Sequence, residues 1–70
     1  MTFTAIIKRE GDRYVSLCPK LDIASQGDTV EQARDNLDES LELVFETASS
    51  EEIAQRLRAE ILVTQVEAVG

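Results

Sequence analysis

This sequence contains no histidine and no tryptophan, and cysteine and proline occur once each. Those absences remove whole classes of chemistry. With Cys18 alone and no histidine, neither a disulfide framework nor a Cys/His metal cluster can staple the fold. A cysteine nucleophile also lacks its usual base, so Cys18 reads as a small hydrophobe near the core. Only Phe3, Tyr14 and Phe45 are aromatic. No segment approaches the ~18 consecutive apolar residues of a membrane span. Met1 to Arg9 meets charge at Lys8 and shows neither a signal-peptide core nor a cleavage site. The expected compartment is the cytoplasm, and no cofactor is expected.

Basic residues are scarce too: seven against fourteen acidic ones, a formal charge of -7. So negative a domain is repelled by phosphate backbones and by anionic bilayers, which argues against direct nucleic-acid or membrane binding by this domain alone. The natural complement is a basic protein. The hydrophobic share of 43% is nonetheless that of a folding chain, not a disordered one. Seventy residues make a single domain, 1–70. A chain this short buries only about 60% of its unfolded surface, so a second subunit is a plausible source of extra stability.

Thr2 to Arg9 alternates, with Phe3, Ala5 and Ile7 on one face and Thr2, Thr4, Ile6 and Lys8 on the other. Glu10-Gly11-Asp12 is a turn signal, and Arg13 to Cys18 alternates again, which predicts a β-hairpin. Pro19 ends or bends the second strand, and Leu21 to Gln26 reads as a short edge strand closed by Gly27-Asp28. A long helix is expected from about Thr29 to Ala48. Val30, Ala33, Leu37, Leu41, Val44 and Ala48 recur at steps of three and four and make one apolar stripe. Thr29 with Gln32, or Asp28 with Glu31 one residue earlier, supplies the capping-box pattern at its start. Ser49 with Glu52 repeats that signal for a shorter helix anchored by Ile53 and Leu57, with Glu52–Arg56 as an i, i+4 pair. Glu60 to Val69 reads as a last strand, and its apolar run Ile61-Leu62-Val63 suits a strand covered on both sides or placed at a subunit interface. The order β-β-β-α-(α)-β predicts an α+β two-layer domain: a three- to four-stranded sheet with one long helix across it and a right-handed crossover to the last strand.

Read together, Phe3-Thr4-Ala5-Ile6-Ile7, Gly11-Asp12 and Tyr14-Val15-Ser16-Leu17-Cys18-Pro19-Lys20-Leu21 resemble the opening of the HicB-like antitoxins of HicA–HicB toxin–antitoxin systems. Ala24-Ser25-Gln26-Gly27-Asp28-Thr29-Val30-Glu31-Gln32-Ala33 is similar to that family's most recognisable stretch, and it leads into the amphipathic Asn36-Leu37-Asp38-Glu39-Ser40-Leu41-Glu42-Leu43. The resemblance runs from residue 3 to about 46, roughly two-thirds of the chain. It implies a truncated ribonuclease-H-like fold without nuclease activity, and binding to a small basic HicA-type ribonuclease that is thereby kept off messenger RNA. Many members also carry a C-terminal DNA-binding segment. None is evident here after the expected last strand, which leaves operator binding by this chain in doubt.

The residues themselves point the same way on chemistry. A two-metal nuclease of that fold needs carboxylates in mid-strand, and Phe3 to Lys8 contains none. Asp38-Glu39-Ser40-Leu41 invites comparison with the carrier-protein Asp-Ser-Leu triplet, but a glutamate intervenes and Ser40 falls in mid-helix. The expectation is therefore a non-enzymatic domain that inhibits by covering its partner. The alternative is an orphan structural or oligomerising domain of the same fold. The expected partner-binding residues are Leu21, Asp22, Gln26 and Asp28 in and around the third strand, with Glu31, Asp35, Asp38 and Glu42 along one side of the helix. Those four acids also admit a plainer reading as a solvated face. Ile61, Leu62 and Val63 are the expected interface of a homodimer or higher oligomer.

Overall fold

The computed structural model describes residues 2–69 as three strands followed by two helices: β1 (Ile6–Glu10), β2 (Arg13–Cys18), β3 (Ile23–Gly27), α1 (Val30–Thr47) and α2 (Ser50–Arg58). The class is α+β, a three-stranded antiparallel sheet followed by two helices. The sheet order is β1-β2-β3, with Ile6 opposite Leu17 and Glu10 opposite Arg13 in the hairpin, and Tyr14 opposite Gly27 and Cys18 opposite Ile23 across the second pair. Gly11 turns the hairpin at φ 61, in the left-handed region that glycine enters without penalty. Among the described residues, no helix is long and apolar enough to cross a membrane.

Small residues set how α1 sits on the sheet. Ser16 of the central strand is completely buried, and its hydroxyl donates to the Ala33 carbonyl at 2.7 Å. Register puts Ser25 beside Ser16 on that face, with Gly27 at the end of the strand. A methyl group on Gly27 would lie 2.5 Å from the Ala33 nitrogen, so the helix rests directly on bare backbone there. The apolar part of the core lies further along, where Cys18, Leu21 and Leu37 are buried together and Phe3, Ile23, Leu41 and Leu57 pack around them.

Thr29 caps α1, its hydroxyl accepting from the Gln32 N–H at 3.0 Å, which selects the later of the two start signals. The return half of the box is shifted: Gln32 Oε1 accepts from the Asp28 N–H rather than from Thr29. Ser49 caps α2 in the same way, accepting from the Glu52 N–H at 3.1 Å, and Arg56 meets Glu52 at 3.4 Å. No residue of α2 is fully buried. Its ties to the rest include Leu57 against the core, a bond from the Arg56 guanidinium to the Leu21 carbonyl, and one from Lys20 Nζ to the Ala59 carbonyl at 2.6 Å.

Three expectations are corrected. The first strand begins at Ile6, not Thr2: its partner runs out at Cys18 and Pro19 has no N–H to extend the ladder. The third strand begins at Ile23, not Leu21, because the chain turns through Pro19–Asp22 with Asp22 at φ 54 and delivers Leu21 into the core. The last strand, and with it the crossover, is not formed. Residues 60–69 carry no regular structure and lie exposed, for an extended segment becomes a strand only when a neighbour accepts and donates along it.

Candidate functional site

Glu31, Asp35, Asp38 and Glu42 are exposed along one side of α1, away from the stripe that buries Ala33 and Leu37. Steps of four, three and four at 3.6 residues per turn keep them in a band parallel to the helix axis. Among the described residues no ion pair involves any of the four. Of the basic side chains, Lys8 and Arg13 pair with Glu10 and Asp28, and Arg56 with Glu52. The band's charge is therefore left facing solvent.

Beside the band runs a groove between α1 and the segment that precedes β1. Thr2, Phe3 and Ala5 form one wall, and Arg34, Asp35, Leu37, Asp38 and Leu41 the other. The groove continues past Phe3 to Glu42, Phe45 and Glu46. The rings of Phe3 and Phe45 stack there at 6.0 Å between centroids and 26° between planes. Phe45 remains partly exposed, so the groove offers an aromatic floor with carboxylates on its rim. Such a surface suits a basic partner, since charge steers the encounter and a buried aromatic supplies contact area once water leaves. Phe3 and Phe45 were not among the residues singled out from sequence. Phe45 follows Asp38 and Glu42 at helical spacings of seven and three, which is the signal that would have found it.

The other expected contact residues are dispersed. Leu21 is wholly buried against Cys18 and Leu37 and offers no surface to a partner, which corrects its placement in a binding set. Asp22 is exposed in the turn that faces α2, alongside Glu52 and Arg56. Gln26 pairs with Val15 on the sheet face opposite α1, while its carbonyl accepts from Asn36 Nδ2 at 2.7 Å. Asp28, at the start of α1, meets Arg13 at 3.3 Å. Only the four acids of α1 share a face.

Other chemistry-bearing side chains are absorbed by structure. Cys18 is buried within the core cluster. Ser40 donates to the Asn36 carbonyl at 2.9 Å, one turn back in α1, which occupies its proton in the helix itself. Among the described residues no three His, Cys, Asp or Glu side chains are grouped to hold a metal ion. Compared with known proteins, the chain matches no family model, no curated protein and no solved structure, so the acidic groove is read from its own geometry.

Proposed function

We propose that this chain is an antitoxin-like domain of the HicB type, which binds a small basic ribonuclease of the HicA type and inhibits it by covering its active surface. The observation that carries the reading is the band Glu31-Asp35-Asp38-Glu42, unpaired and set beside the Phe3–Phe45 groove. The order β-β-β-α is compatible with a truncated ribonuclease-H-like domain. The stretch that most resembles the family, Ala24 to Ala33, is the junction at which Gly27 admits the helix and Thr29 caps it, so its pattern has an architectural cause. Inhibition on this reading is steric and electrostatic, with no chemical step assigned to the chain.

The test is to titrate the protein into a HicA-type ribonuclease and follow RNA cleavage and association kinetics at low and physiological salt. Cleavage should fall with stoichiometric binding. Asp35→Lys combined with Asp38→Lys and Glu42→Lys should slow association by roughly tenfold or more, with the difference shrinking as salt screens it. A reversed variant that associates at the unaltered rate at low salt would remove the band from the interface. A second reading, an orphan structural domain that assembles with itself, is favoured by the exposed apolar residues after α2.

A further inference from the structure

The residues after α2 have the composition of a strand and none of the contacts of one. Leu62 is 81%, Val63 90% and Val66 91% exposed, in a chain of only 70 residues. The radius of gyration is 14.0 Å, against about 11 Å for a compact domain of this length. The β-branched Ile61, Val63, Thr64 and Val66 favour extended backbone, and proline, the residue that most firmly blocks pairing, is absent from 60–69.

The same chain offers an acceptor. A three-stranded sheet has two edges, and they differ. The β3 edge is dressed by α1, since Asn36 donates to the Gln26 carbonyl and the start of the helix lies directly on Gly27. The β1 edge is exposed from Lys8 to Glu10, while its Ile6 end has Ile61 and Val63 of the same chain beside it; among the described residues the one side-chain hydrogen bond made from this strand is Arg9 Nε to the Gly11 carbonyl, within the hairpin turn. β1 carries Lys8 and Arg9 against one acid, Glu10, which meets Lys8 at 3.6 Å, whereas the tail carries Glu60 and Glu67 and no basic residue. Bare edges attract strands, and opposite charge across a new pair favours the match.

We infer that residues 61–69 of one copy add as a fourth strand to the β1 edge of a second copy, reciprocally, giving a twofold dimer. Reciprocity satisfies both tails with one interface, as a twofold arrangement requires. Within the single chain Ile61 and Val63 lie beside Thr2, Thr4 and Ile6 without forming a strand there, which leaves the tail available to a second copy. Unlike the inhibitor reading, this inference does not depend on any ribonuclease partner.

The experiment joins sedimentation equilibrium to amide hydrogen exchange on the full chain over a hundredfold range of concentration. The expected result is a monomer–dimer equilibrium in which tail amides and the outward amides of β1 gain protection together as dimer forms. Val66→Pro, at a side chain without contacts in the single chain, should weaken the dimer at least tenfold while circular dichroism stays that of the folded domain. A chain that stays monomeric throughout overturns the inference. So does a tail protected independently of concentration, which means pairing within one chain, or a dimer indifferent to Val66→Pro or protected on β3 instead.

Discussion

Replacing Gly27 with alanine is the sharpest test of how α1 is seated. The added Cβ would stand 2.5 Å from the Ala33 nitrogen, 2.7 Å from Gln32 Cβ and 2.8 Å from the Gln32 carbonyl carbon, where ordinary contact begins at 3.4 Å. Two of those three atoms belong to helix backbone, so no rotamer change relieves the clash. The start of α1 must lift by about 1 Å, which stretches the 2.7 Å bonds from Ser16 to Ala33 and from Asn36 to Gln26. Overpacking of this kind costs ~1–3 kcal/mol. Weakening the buried Ser16 bond adds ~1 kcal/mol. Alanine's lower entropy in the unfolded chain offsets ~0.4–1 kcal/mol. The net loss is about 1–3.5 kcal/mol, a large part of the ~4–10 kcal/mol expected for a domain of this length. For so small a domain that lowers Tm by roughly 5–25 °C. Urea unfolding followed by far-ultraviolet circular dichroism measures it as a lower midpoint at unchanged slope. Gly11→Ala is the control, because its Cβ meets nothing within 4 Å and only the φ of 61 opposes it. That strain costs ~1–2 kcal/mol. A Gly27→Ala protein as stable as the original would refute this account of the helix–sheet contact.

Two further outcomes follow from the same packing. Leu37→Ala, in the buried cluster with Cys18 and Leu21, should cost ~2–5 kcal/mol by urea titration, whereas Leu43→Ala on the exposed side of α1 should stay within ~0.5 kcal/mol. Thr29→Ala removes the side-chain acceptor for the Gln32 N–H and should lower stability by ~1 kcal/mol, with Thr29→Ser restoring most of it.

Much of this fold is legible in the residues because the local signals are strong. The hairpin followed from alternation around Gly11, and both helix starts from Ser or Thr three residues before Gln or Glu. The apolar stripe named Ala33 and Leu37, which are buried, but it also included Val30, which stays exposed in the first turn of α1. What was not legible depended on neighbours. Whether Thr2 to Ala5 pairs is decided by Pro19 across the sheet, and whether Leu21 faces a partner or the core is decided by the left-handed Asp22 after it. Glu60 to Val69 shows the limit most clearly: its composition states a preference for extended backbone, and only a second edge can convert preference into a strand. In the candidate site, helical spacing placed the four acids together correctly. It was silent on Phe3 and Phe45, whose stacking joins residues forty-two positions apart.

The slight attachment of α2 has a consequence for how the molecule comes apart. With no fully buried residue, Leu57 packed at the margin of the core and two basic side chains reaching backbone carbonyls, this helix opens at lower free energy than the sheet and α1 beneath it. A protease should therefore nick the Ala48–Ser49 connection while the rest of the domain stays intact, releasing α2 and everything beyond it as a single fragment.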